Sequence, residues 1–232
     1  MENILQVDKL YKKYPKKVAL NNISFSLNSG KIVGLLGPNG SGKTTLIKII
    51  NTLITDYTGE ITVCNNPLGV QSKKAISYLP DNSYLSKWMT INSCIEMFND
   101  FYADFDKVKA YSLCSDLKLD IRAKVNTLSK GMNEKLQLLL VMSRKSKLYI
   151  FDEPIAGVDP AARDFILNTI LTNYNEEGTI FLSTHLISDV EQIFDQVLFL
   201  KDGEIVLNEM ADALRERTGQ TLNDHFREIF RN

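Results

Sequence analysis

The segment Gly37-Pro38-Asn39-Gly40-Ser41-Gly42-Lys43-Thr44 constrains this chain more than any other. It follows the apolar run Ile32 to Leu36 and precedes Thr45, Leu46, Ile47, Ile49 and Ile50, which recur at helical spacing. A G-x-x-x-x-G-K-[ST] pattern between a strand and a helix has a specific physical use. Its glycines let the backbone wrap until successive N–H groups converge on phosphate oxygens, and the positive end of the helix faces the same point. Lys43 adds a mobile charge, and Thr44 offers a hydroxyl to Mg²⁺. The loop and Thr45 are therefore the expected cradle of a nucleotide phosphate.

The remaining hydrophobic pattern agrees with an α/β fold. Ile61 to Val63, Ile76 to Leu79, Leu148 to Phe151, Ile180 to Leu182 and Val197 to Leu200 read as further strands. Several are continuous apolar runs, as expected where helices cover both faces of a parallel sheet. Ile4 to Leu10 and Ala19 to Leu27 instead alternate apolar with polar residues, which predicts an antiparallel β flap ahead of a mostly parallel core. Lys201-Asp202-Gly203 predicts a hairpin turn from Val197 to Leu200 into Ile205 to Leu207.

Between Pro80 and Thr127 no strand pattern appears, and this region, about 81–127, reads as an inserted helical subdomain. Met97, Phe98, Phe101, Tyr102 and Phe105 recur there at helical spacing, a stripe expected to be packed core rather than a docking surface. A tail at about 210–232 contains a capping box, Thr221 with Asp224, and an apolar face of Leu222, Phe226, Ile229 and Phe230. That face suits the body of the chain or a second copy. No repeat, low-complexity tract or Pro/Gly linker divides residues 1–232, so one domain is expected.

Composition excludes several classes. With 27 Lys and Arg against 28 Asp and Glu, the formal charge of −1 gives no bulk signal for nucleic acid. The richest apolar run, Leu136 to Met142, is far short of the ~18 residues that suggest a bilayer span, and the first residues lack the features of a secretory signal. Cys64, Cys94 and Cys114 are odd in number and widely spaced, so each is expected to be a small core hydrophobe in a reducing compartment.

A phosphate loop requires an acidic residue at the end of another buried strand, and Leu148-Tyr149-Ile150-Phe151-Asp152-Glu153 supplies two. Asp152 is placed to hold Mg²⁺, directly or through water, and Glu153 to orient and deprotonate the attacking water.

Over essentially its whole length the sequence then resembles the ATP-binding subunits of ABC transporters. Leu128-Ser129-Lys130-Gly131-Met132, followed by a helix and the Asp152 strand, is similar to the signature motif of that family. Ala156-Gly157-Val158-Asp159-Pro160 resembles its D-loop, Ser183-Thr184-His185 its switch histidine, and Tyr14 the aromatic residue that stacks on adenine. The resemblance implies an ATP hydrolase working with Mg²⁺. Glu153, His185 and Lys43 are its expected catalytic residues, and Thr44, Asp152 and Asp81 its expected metal ligands. It also implies a head-to-tail homodimer or heterodimer in which Ser129 and the Gly131 N–H contact the γ-phosphate held by the partner's loop. The expected partner is an integral membrane permease at the inner face of the cell membrane, with no nucleic acid. Asp81 to Thr90, with Tyr84, Leu85, Trp88 and Met89, lies where the family docks that permease.

The sequence departs from the family pattern at Lys130, at Met132, and at Asp81 in place of a glutamine. Lys130 suits either a neighbouring phosphate or solvent. The Gly-Pro-Asn-Gly loop, Leu79-Pro80-Asp81, Gly157-Val158-Asp159-Pro160 and the tail from Ala211 to Asn232 look most like the bacterial exporter branch associated with drug, antibiotic or peptide efflux. A soluble ABC-type ATPase acting on ribosomes or DNA is the competing reading. A small-molecule kinase gives no reason for the signature segment.

Overall fold

The structure, a computed structural model, describes residues 2–231; Met1 and Asn232, the last residue of the expected tail, lie outside them. The first half of the chain runs β1 (Asn3–Tyr14), β2 (Lys17–Asn28), β3 (Ile32–Leu36), α1 (Lys43–Ile50), β4 (Thr58–Val63) and β5 (Asn66–Pro67). Next come α2 (Val70–Ala75), β6 (Ile76–Leu79), α3 (Ile91–Phe101), α4 (Lys107–Asp116), α5 (Lys130–Met142), β7 (Leu148–Asp152) and α6 (Pro160–Asn173). The chain closes with β8 (Thr179–Thr184), β9 (Gln196–Lys201), β10 (Glu204–Met210), α7 (Ala211–Thr218) and α8 (Leu222–Phe230).

The strands form two sheets, one four-stranded in the order β2-β1-β4-β5 and one six-stranded in the order β10-β9-β3-β8-β7-β6. In the larger sheet β3, β6, β7, β8 and β9 pair in parallel, and β10 joins antiparallel through the hairpin turn. Asp202 and Gly203 both take positive φ there, 49° and 84°, the backbone that a two-residue hairpin demands. The residues of β7 and β8 are buried throughout, which is why their sequence shows no alternation. The smaller sheet is antiparallel, and its β2 alternates as expected, with Phe25 and Leu27 inside and Ser24 and Ser26 outside. Ile61-Thr62-Val63, expected among the further strands, lies outside the parallel sheet. It lies in β4 and pairs antiparallel with β1, Leu5 opposite Val63.

Helix starts follow their capping residues: the side chains of Thr90, Asp106, Ser129, Asp159 and Thr221 accept the backbone N–H three residues on in α3, α4, α5, α6 and α8. The aromatic stripe, in contrast, is only partly core. Phe98 packs 5.4 Å from Tyr102 and 5.8 Å from Phe105, but Phe101 is 79% exposed. α3 stops at Phe101, and the Phe105 N–H bonds the Tyr102 carbonyl in a turn, so Phe105 folds back onto the helix instead of continuing it. Cys94 and Cys114 are buried as expected. Cys64 is half-buried, in a positive-φ turn between β4 and β5.

Arg144 fastens the helical segment to the sheet edge. Its guanidinium bonds the carbonyls of Ile76 and Lys74, pairs with Asp104 at 3.1 Å, and lies 3.8 Å from the Tyr102 ring centroid. The tail packs on its own chain: Phe226 and Phe230 of α8 lie 5.5 and 6.2 Å from Phe199 of β9.

Candidate nucleotide site

The carboxyl ends of β3, β7 and β8 lie side by side, the place where a parallel sheet presents its loops to a ligand. From β3 the chain enters the 37–44 loop under tight constraint. Gly42 has a φ of 117°, and a Cβ there would sit 2.5 Å from the Ala19 carbonyl oxygen. A Cβ on Gly37 would approach the Leu200 carbonyl oxygen to 2.4 Å. The hairpin turn braces the same loop: the Gly203 N–H bonds the Ser41 carbonyl at 3.0 Å, and its own carbonyl accepts from the Asn21 N–H at 2.8 Å.

Lys43 is buried and donates to the Gly37 carbonyl at 2.7 Å and the Pro38 carbonyl at 3.3 Å. Its Nζ also lies 3.1 Å from Oε1 of Glu153, whose Oε2 is 2.9 Å from His185 Nδ1. Lys43, Glu153 and His185, separated widely in sequence, thus form one polar chain. Glu153 reaches it from a positive φ of 52°, immediately after the buried Asp152.

Asp152 takes hydrogen bonds on Oδ1 from Ser183 at 2.7 Å and Thr44 at 3.3 Å, whereas its buried Oδ2 has no partner. Burial raises its carboxyl above the usual aspartate range, against the two hydroxyl donors, and the Asp81 and Glu153 charges add to the rise. An orphaned carboxylate oxygen beside a threonine hydroxyl fits a hard, oxygen-seeking cation such as Mg²⁺, which commonly takes one or two protein oxygens together with phosphate and water. Among the described residues no group of three His, Cys, Asp or Glu side chains could hold a metal without such help.

An open cavity of about 340 Å³ is bounded by Tyr14, Gly40, Lys43, Thr44, Asp81 and Glu153; Asn39, Gly42 and Thr45 border it as well. Asp81 also accepts from the Asn82 amide at 2.6 Å. Ser41 is buried, and its hydroxyl oxygen lacks a partner. Ser129 and Gly131 do not line this cavity. They lie at the start of α5, where the Ser129 hydroxyl accepts the Met132 N–H at 3.2 Å and the space around Gly131 Cα is open. The exposed Lys130 Nζ is 3.8 Å from Glu134 and 3.4 Å from the Gly157 carbonyl.

Two residues at the site have roles that the motifs do not announce: Ser183 enters them only as a neighbour of His185, and Lys17 not at all. Ser183 holds Asp152 because β7 and β8 pair in register, Asp152 opposite Ser183. Lys17 lines the cavity and donates to the Gly40 carbonyl at 2.6 Å.

The pattern of the family described as "ABC transporter" matches residues 20–156, and the chain belongs to that family. Over 212 residues it is 33% identical to the linearmycin resistance ATP-binding protein LnrL of Bacillus subtilis (strain 168), covering 88% of this chain and 68% of that protein. Over 209 residues it is 30% identical to the SkfA peptide export ATP-binding protein SkfE of the same organism, covering 88% and 87%. Among solved structures, an ATP-binding subunit of an ABC transporter superposes with a TM-score of 0.87 at 25% identity, over 98% of this chain and 100% of that one. The fold is shared with a nucleotide-free ATP-binding cassette, at a TM-score of 0.78 and 22% identity over 99% of each chain. The chain is thus an ATP-binding subunit of ABC transporter type. No helix among the described residues is long and apolar enough to cross a membrane.

Proposed function

We propose that the chain hydrolyses ATP with Mg²⁺ and uses closure of a head-to-tail dimer to drive a separate membrane permease in export. The observation that carries hydrolysis is the contact chain Lys43–Glu153–His185 beside the partly unpartnered Asp152. The 37–44 loop and Lys43 receive the phosphates, and Tyr14 receives the base. Phosphate oxygens compete with Glu153 for the Lys43 ammonium, so binding releases the carboxylate to accept a proton from water, while His185 holds its second oxygen. Thr44 and Asp152, with Asp81 near them, would hold Mg²⁺, which when bound neutralises developing phosphate charge.

Each site needs a second protomer in this reading. Ser129, the Gly131 N–H and the start of α5 face another chain's γ-phosphate, and Lys130 is free to swing toward it. Residues 1–232 work as one ATPase unit, with 81–127 as its helical subdomain and 210–232 as its tail. The permease seats on the 81–90 segment at the inner membrane face. There Trp88 is 75% exposed, and Leu53, Tyr84 and Tyr102 border an apolar hollow of about 440 Å³. Export is supported by relatives named for linearmycin resistance, SkfA peptide export and Nod factor export. Those names also weigh against ribosomes, DNA or other nucleic acid as partners.

Glu153→Gln tests the reading. Removing a general base is expected to slow hydrolysis about 10²–10⁴-fold and leave ATP binding intact, so that ATP accumulates in a dimer seen by light scattering. A variant that remains monomeric with saturating ATP contradicts the head-to-tail arrangement. Unchanged hydrolysis by the assembled complex removes Glu153 as the base.

A further inference from the structure

Two lysines are buried among the described residues, Lys43 and Lys12, and only Lys43 has a part in the proposed mechanism. An ammonium out of water needs compensation, and Lys12, 2% exposed, finds all of its recorded partners in two residues. Its Nζ lies 2.5 Å from Asp56 Oδ2 and donates to the Asp56 carbonyl at 2.8 Å. It also sits 4.8 Å from the ring centroid of Tyr14. The Asp56 side chain is 83% exposed, so the pair does not exist to neutralise a buried acid.

Tyr14 is 40% exposed and lines the nucleotide cavity, whereas Lys12 does not line it. The ammonium thus lies over a ring that borders the cavity while itself standing outside the cavity lining. Asp56 lies just beyond α1, the helix that begins at Lys43. It stands just before β4, whose Thr58 pairs with Tyr11 of β1, so the clamp ties the aromatic platform to the neighbouring strand of its own sheet.

We propose that Lys12 is a positioning residue for the nucleotide base: clamped by Asp56, its cation fixes the Tyr14 ring on the antiparallel flap and polarises that ring for stacking on a purine. This rests on the assignment of Tyr14 to the base. The occupant is a purine nucleotide whose base stacks on the ring while its phosphates lie at Lys43.

The test compares MgATP with Mg-tripolyphosphate, which has phosphates but no base, by calorimetry on the full chain. Lys12→Met keeps the buried apolar stem and strands no buried charge, because Asp56 stays in solvent. It is expected to weaken ATP about fivefold and leave tripolyphosphate unchanged. Lys12→Gln should show the same loss should the methionine variant fold poorly, and Lys12→Arg, which keeps the cation, should stay within about twofold of wild type. On a Tyr14→Ala background Lys12→Met should add less than about twofold, since the lysine acts through the ring.

Unchanged ATP affinity in both uncharged variants overturns the proposal. So does an equal loss for both ligands, which marks general damage to the loop, or full additivity with Tyr14→Ala. A wild-type chain that binds ATP no more tightly than tripolyphosphate removes Tyr14 as the base platform, a separate and recognisable failure.

Discussion

Asp152 shows how one side chain is set by residues far away in sequence. Its Oδ1 is satisfied by Ser183 and Thr44, which leaves Oδ2 directed by the same contacts but without a donor. Removing the Ser183 hydroxyl takes away the closer of the two. Loss of such an outer-shell contact commonly costs a metal site about 10–100-fold in affinity. Ser183→Ala is therefore expected to raise the Mg²⁺ concentration that half-saturates ATPase activity by about tenfold, with the ATP dependence at saturating Mg²⁺ little changed. A metal titration checks this, and an unaltered midpoint would place Mg²⁺ elsewhere. Lys43→Ala should instead abolish measurable ATP binding, because no other buried cation reaches the loop.

At the scale of elements, Arg144 holds the helical segment against the sheet. Arg144→Ala leaves the carbonyls of Ile76 and Lys74 and the Asp104 carboxylate without their common donor. The expected loss is about 3 kcal/mol, toward the lower end for a broken buried pair because Asp104 is partly solvated. Urea unfolding measures it, and a loss below about 1 kcal/mol would show the linkage to be replaceable.

Asp106 acts within a single element, as the N-cap of α4. The Lys109 backbone N–H holds its carboxyl below the usual aspartate range against desolvation, with the Lys145 and Lys109 charges assisting. A carboxyl with a depressed folded pKa stabilises above its unfolded value of about 3.9, and that contribution fades as pH falls through the lower folded value. Asp106→Ala should then cost about 1 kcal/mol at neutral pH, and the gap from wild type should close in acid. A gap that persists unchanged at acid pH would assign the effect to packing.

The whole molecule presents half of each proposed catalytic site. Lys43 and Glu153 line the cavity, whereas Ser129 and Gly131 stand apart at the start of α5. In a homodimer, Lys43→Ala and a bulky Ser129→Trp should each be inactive alone. Mixed, they should regain activity, because one heterodimer interface pairs an intact loop with an intact signature segment. ATPase assays on the single variants and on the mixture decide the matter; an inactive mixture argues for an obligate partner of different sequence.

The motifs whose geometry is local were legible in residue order. A glycine loop between a strand and a helix, an acidic pair ending an apolar run and the cap Thr221 each depend on neighbours within a few positions. Less was legible where distant segments meet. Ile61-Thr62-Val63 is too short to declare its sheet and pairs antiparallel with β1, and Phe101, the last residue of α3, keeps the helical period of core neighbours yet faces solvent.

Residue order by itself determined the α/β class, the phosphate loop and the acidic strand end, because short-range sterics and hydrogen bonding suffice for them. Tertiary structure alone decided that Ser183 serves Asp152, that Glu153 bridges Lys43 to His185, and that Lys12 is buried against Asp56. Those contacts depend on strand register, a backbone turn at positive φ and the burial of an ammonium. All three are settled only when the whole chain competes for space.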